Sequence, residues 1–210
     1  MGAKVIAFDY SNSVEKAFQK NGKNPNYFVF QADISNIPLK AGQFDIVFCH
    51  RVIQHTPNPE QAFYSIVEQL KKGGHIFLHS YGKTPRSQIN YHYILRPITK
   101  RMNYNITYKL LKIIGPFLYR LVGRFKKQQG RIFSILLRFI PFENYLSTLL
   151  GSNLTEREKY QFAFLNVFDI LTPKYDKPNT VMEIIRWFKN KDLKKIHVRG
   201  INPVLVKAVR

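Results

Sequence analysis

The chain has a single cysteine in 210 residues, Cys49, which excludes an intrachain disulfide and points to a reducing compartment. Lying between Phe48 and His50 in an apolar run, it reads as a small buried hydrophobe rather than a nucleophile. Carboxylates are scarce: 13 Asp and Glu stand against 33 Lys and Arg, a formal net charge of +20. Such a balance selects polyanionic partners, either nucleic acid or an anionic membrane surface. No apolar run reaches the roughly 18 residues that a spanning helix needs. Met1 leads directly into a strand-like stretch with no basic n-region, apolar h-region and small-residue cleavage site, so no secretory signal is read and a cytoplasmic location is expected, with peripheral membrane contact left open. Internal repeats and low-complexity linkers are also missing, and 210 residues suit one α/β domain carrying an elaboration.

What is there comes in two kinds of text. Up to about residue 80, short apolar runs alternate with helix-like stretches, the pattern of βα units feeding a parallel sheet. Strands are predicted at Lys4–Asp9, Tyr27–Ala32, Phe44–Cys49 and around Ile76–His79. Asn12, with Glu15 three residues on, predicts a capping box for a helix ending near Asn21-Gly22. Between Pro59 and Lys72, Ala62, Phe63, Ile66, Val67 and Leu70 form a helical stripe for the core, closed by Gly73-Gly74.

From Tyr81 to Phe142 there are 13 Lys or Arg and no acidic residue, interleaved with apolar stretches such as KLLKIIGPFLYRLVGRFKK (109–127) and RIFSILLRFIPF (131–142). This predicts a basic, amphipathic, mostly helical insertion over about 81–160, broken or kinked at Gly115-Pro116. The segment 161–210 closes the domain with an amphipathic helix at VMEIIRWFKN and two strands, KKIHV and VLVKAVR, joined through Gly200 and Pro203.

In open parallel sheets ligands bind beyond the carboxyl ends of the strands. Asp9 ends the first strand, where its carboxylate can accept from both hydroxyls of a ribose or serve as an ordinary strand-end cap. Asp33 ends the second, placed for an exocyclic amine with Ile34 against a base, or as a plain turn aspartate. His50 and Arg51 end the third. A metal site is the weakest reading of His50 and His55: they are five apart across a strand-to-turn transition with no further ligands beside them. Pocket lining is the best functional reading, a histidine packed beside the turn its structural alternative, and His50 fits the pocket better than His55.

Taken in order, GAKVIAFDYS, the QADI-x-x-IPL segment, FDIVFCHRVIQHTPNPEQAF, LKKGGHIFLHS and, near the end, DILTPKYDKPNTVMEIIRWF resemble the class I S-adenosylmethionine-dependent methyltransferases with small-molecule or lipid-like substrates. The resemblance implies a Rossmann-like, doubly wound, mostly parallel sheet, S-adenosylmethionine as cofactor, Asp9 at its ribose with Tyr10 also in the cofactor site, Asp33 and Ile34 at its adenine, and the His50–His55 segment, with His50 and Arg51 counted among the cofactor's contacts, lining its methionine portion and the substrate. His50 or His55 would be the base if the acceptor is a hydroxyl or phenol. One departure is large: the family's first strand and Gly-rich loop are absent, and Gly2 and Gly22 do not replace them. An N-terminally truncated sheet with exposed apolar edges and impaired cofactor binding is therefore expected. The insertion is expected to be a lid that also touches membranes, with Phe117, Leu118, Leu121 and Phe125 inserted and Arg120, Arg124 and Lys126 meeting lipid phosphates. The competing reading is a non-catalytic basic module that binds anionic membrane or RNA.

Overall fold

The computed structural model describes residues 2–126, 135, 137–143 and 152–210. Lys127 and much of 131–142 lie outside the described residues, as does the side chain of Lys126. The chain forms two compact units, one from the residues up to Gly82 with Lys177–Arg210, the other Lys83–Asp176.

The first unit holds every strand among the described residues: β1 Val5–Asp9, β2 Tyr27–Gln31, β3 Phe44–His50, β4 Leu70–Ser80, β5 Lys194–Arg199 and β6 Val204–Val209. Its helices are α1 Ser13–Asn21, α2 Pro59–Glu68 and, late in the chain, Val181–Asn190. The strands form two sheets. One is the parallel pair β1–β2, in register from Val5 opposite Tyr27 to Asp9 opposite Gln31. The other runs in the order β3-β4-β6-β5, with β3 and β4 parallel and β6 antiparallel to both its neighbours. The fold class is the expected α/β, with parallel pairing in β1–β2 and β3–β4 and antiparallel pairing where β6 meets β4 and β5.

Side chains alternate across the larger sheet. On one face Cys49, Ile76, Leu78, Val204, Val206 and Ala208 are buried against Ala62, Phe63, Ile66 and Val67 of α2 and against Ile184, Trp187 and Phe188. The ring of Phe63 lies 4.6 Å from that of Phe188 and 6.1 Å from that of Trp187, tilted to both. The other face is open: Ile46 and Phe48 on β3 are 60% and 68% exposed. The β1–β2 pair has no comparable core. Phe8 and Phe30 stack at 5.9 Å, but α1 buries no residue, and Val5, Phe18 and Phe28 are exposed.

Two local expectations of this unit are corrected. Asn12 does not cap α1 through its side chain, and no capping box forms with Glu15; instead Asp9 Oδ1 accepts from Ser11 N and Oγ at 2.8 and 2.7 Å, so the turn after β1 is organised from the strand end. The helix expected to reach Gly73-Gly74 stops at Glu68, because Leu70 is fully buried and pairs with Phe44 as the first residue of β4. Gly73, at φ +79°, supplies the irregularity inside the strand: its N–H donates to Arg210 O, and Arg210 N donates back to Gly74 O. The start of α2 follows its sequence, with Asn58 Oδ1 accepting from Gln61 N and Pro59 in the first turn.

The second unit contains α3 Pro85–Gln88, α4 Tyr91–Thr99, α5 Tyr104–Lys126 and α6 Glu156–Leu171; Val181–Asn190 of the first unit is α7. Its core comprises Tyr91, Leu111, Phe142, Phe164, Val167, Phe168 and Leu171. The break expected at Gly115-Pro116 does not occur, since α5 runs on through it. Pro116 withholds only one N–H from the ladder, and Gly115 lets the helix approach its neighbours: a Cβ there would sit 2.9 Å from Tyr160 Oη and 3.3 Å from Phe142 Cζ.

Arg96 is also not part of a solvated basic face. It is buried, donating to Ile170 O and Pro173 O at 2.7 and 3.0 Å and lying 3.7 Å from Asp176, so it ties α4 to the end of α6.

Because the core is confined to one face of the larger sheet, substitutions should divide sharply. Phe63→Ala is expected to lower the unfolding free energy by about 3–5 kcal/mol. Phe18→Ala, at an exposed position, should stay within about 0.5 kcal/mol of the parent. Urea unfolding followed through the fluorescence of Trp187, which packs near Phe63, measures both.

Candidate functional site

The candidate residues stand at the carboxyl ends of parallel strands. At the end of β1, Asp9 is exposed and holds Ser11, and exposed Tyr10 receives a hydrogen bond at its carbonyl from Gln31 Nε2. Just beyond β2, Asp33 Oδ1 accepts from Ser35 N at 2.7 Å, while Ile34 packs against the core of the larger sheet. These two carboxylates, carried on adjacent hydrogen-bonded strands, form one group.

The second group ends β3 and β4. Register places His50 opposite His79, and their Nδ1 atoms are 3.1 Å apart with the rings edge to face at 4.4 Å. His50 is exposed and His79 is buried. Burial, first, and then the nearby His50 and Arg51 hold the His79 imidazole below its usual value of 6.5. Arg51 takes a left-handed backbone at φ 55°, a conformation uncommon for a non-glycine residue, while its N–H donates to His79 O at 2.7 Å. Its guanidinium lies 5.9 Å from the ring centre of Tyr81, against which His55 packs edge-on at 5.7 Å. Behind them Ser80 Oγ donates to buried Gln54 Oε1.

His50, Arg51 and His55 are therefore brought together with two residues that the sequence did not single out, His79 and Tyr81. Only strand register could have revealed His79, since it lies 29 residues from its partner. Cys49 points to the opposite face, buried, its thiol pushed up to about 11 by burial, which leaves it inert as a nucleophile. No group of three or more potential metal ligands occurs among the described residues.

Asp9 and Asp33 belong to one sheet and His50 and Arg51 to the other. Among the described residues no strand pairs with the outer edge of β1 or of β3. The acceptor chemistry for a nucleoside is present on the β1–β2 pair: two exposed carboxylates, with a half-buried isoleucine after the second. A continuous floor linking it to the histidine group is not formed by the described residues.

Residues 1–78 match the family described as Methyltransferase domain. The chain is 33% identical over 55 residues to a ubiquinone biosynthesis O-methyltransferase of Marinobacter nauticus, covering 26% of this chain and 23% of that one. Its namesake from Acinetobacter baylyi is 34% identical over 109 residues, 47% of this chain and 45% of the other. The matched stretch thus spans less than half the length of these relatives. Among solved structures, one titled a possible exported protein, from Bordetella parapertussis, superposes with a TM-score of 0.53 at 11% identity, covering 100% of this chain and 54% of that chain, a likeness of fold alone. Over residues 1–78, the chain is thus similar to proteins that carry a methyltransferase domain.

Proposed function

We propose that the chain serves S-adenosylmethionine-dependent methyl transfer to a small or lipid-like acceptor, and that residues 1–210 hold the cofactor weakly. The observation that carries the reading is the methyltransferase match over residues 1–78, whose strand ends bear Asp9, Asp33 and His50. The cofactor supplies an electrophilic methyl group on a sulfonium, so the protein's tasks are alignment, exclusion of water and, for some acceptors, removal of a proton. Asp9 and Tyr10 hold the ribose, and Asp33 and Ile34 the adenine. Arg51 and His55, both packed at Tyr81, shape the acceptor's side of the crevice.

His50 is the candidate base for a hydroxyl or phenol acceptor. When its Nδ1–H donates to His79 Nδ1, its Nε2 lone pair is left to take the proton, and neutral His79 then stabilises the imidazolium. His79 is a positioning residue in this scheme, and the burial that keeps it neutral preserves its acceptor nitrogen. His55 is the alternative base. A non-catalytic basic module remains the second reading, favoured by the net charge of +20. Support for weak cofactor binding comes from the edges of β1 and β3, which no strand among the described residues pairs, so that the two residue groups stand on separate sheets.

Two measurements check these assignments. Calorimetry should find weak or no binding of S-adenosylmethionine by the 210-residue chain and clear binding by a chain extended with an apolar strand and a Gly-rich loop ahead of Met1. In the extended chain, Asp9→Ala should cost about 1–3 kcal/mol of binding. Tight binding by the short chain, or unchanged affinity in the Asp9 variant, contradicts the reading.

In an NMR titration, His79 should titrate below 6.5. His50→Gln should raise that value while leaving it depressed, since burial is the larger cause. Because the folded state favours neutral His79, its contribution to stability is fully present above about 6.5 and declines as pH falls toward the folded value.

A further inference from the structure

The long helix α5 carries two apolar stripes, and the core uses one of them. Thr107, Leu111, Gly115 and Val122 are buried, Leu118 packs with them, and the rings of Tyr104 and Tyr108 lie edge-on to Phe168 of α6 at 4.6 and 5.5 Å. Ile106, Leu110, Ile113 and Phe117, spaced by four, three and four, form a second stripe that is left exposed, with Ile113 and Phe117 at 75% and 66%. Lys109, Arg120 and Arg124 are exposed beside or in line with it, and Lys112 is exposed farther round the helix, beyond Lys109. No carboxylate is paired with any of these four among the described residues, and the sequence from Tyr81 to Phe142 contains none. The membrane-facing residues expected from sequence are thereby revised. Phe117 is exposed, but Leu118 belongs to the core and Leu121 and Phe125 are half-buried.

We propose that the Ile106–Leu110–Ile113–Phe117 face of α5 seats in the surface of an anionic lipid bilayer, with the four cations held at the level of the lipid phosphates. An exposed apolar stripe at helical spacing inserts to the depth of the acyl boundary, and the adjoining Lys and Arg side chains reach back to the headgroups. Charge complementarity decides the occupant: the face is strongly cationic and apolar together, which suits a surface that is anionic outside and apolar just beneath. No helix among the described residues is long and apolar enough to cross a membrane, so α5 lies along the interface. RNA would use the same cations but has no need of Ile113 and Phe117, which separates the two partners experimentally. The proposal is independent of the methyl-transfer reading, because vesicle binding needs neither cofactor nor acceptor.

The test is co-sedimentation of the full chain with vesicles of phosphatidylglycerol and phosphatidylcholine in equal parts, and with pure phosphatidylcholine. Binding is expected to the first, much less to the second, and to fall steeply with salt, because the surface field is screened within about 8 Å at physiological ionic strength. Changing Lys109, Lys112, Arg120 and Arg124 together to Gln touches no core contact, and should weaken binding by on the order of a hundredfold to a thousandfold. The pair Ile113→Ser and Phe117→Ser, with all charges kept, should also lose most of the binding. A fluorophore on Ile113→Cys reports insertion directly, since buried Cys49 does not compete for label. Its emission should shift to the blue with anionic vesicles. No binding by the parent chain, or binding indifferent to the serine pair, overturns the proposal. Tight binding to single-stranded RNA with an unshifted label assigns the cations to nucleic acid instead.

Discussion

The ladder that joins β4 to β6 is the constraint on which the sheet unit depends. Residues 75–80 pair antiparallel with 204–209, and among the described residues β4 and β6 are the strands with partners on both sides. Their inward residues, Ile76, Leu78, Val204, Val206 and Ala208, form the floor on which α2 and α7 pack through Phe63, Trp187 and Phe188. The pairing of β3 with β4 is fixed against that floor, because Cys49 must face the core. That requirement turns His50 to the open face, opposite His79. The histidine pair is therefore a consequence of core packing: slipping β3 by one residue would bury His50 and expose Cys49.

The β1–α1–β2 piece has no such support. Its strands are hydrogen-bonded to each other, but it buries no residue of α1 and leaves Val5 and Phe28 in water. With the hydrophobic term so small, its ordering entropy is poorly offset. Asp9 thus sits on the least supported part of the unit, Asp33 beside Ile34, which packs on the core, and the histidines on the most supported.

Much of this was legible in the sequence, for identifiable reasons. Strands such as VIAFD and FDIVFC are short apolar runs between turn residues, and Val181–Asn190 is strongly amphipathic, so local pattern sufficed. It failed where tertiary pairing overrides a local signal. Gly73-Gly74 reads as a helix stop, yet full burial of Leu70 opposite Phe44 begins the strand earlier. Gly115-Pro116 reads as a break, yet close packing on Tyr160 and Phe142 carries α5 through it. Arg96 counts as one more surface cation until the carbonyls at the end of α6 are seen to surround it. At the site, Asp9, Asp33, His50 and Arg51 were visible as strand-end residues, whereas His79 and Tyr81 become neighbours of that group only once β3 and β4 are in register.

The central claim is that one stable sheet centred on β4 and β6 carries a weakly coupled β1–β2 pair, and amide hydrogen exchange of the intact chain tests it most directly. Amides of residues 75–80 and 204–209 should exchange only through global unfolding, while those of residues 5–9 and 27–31 should exchange far faster, through local opening that leaves β4 protected. Equal protection of the two sets would contradict the claim and make the six strands one cooperative structure.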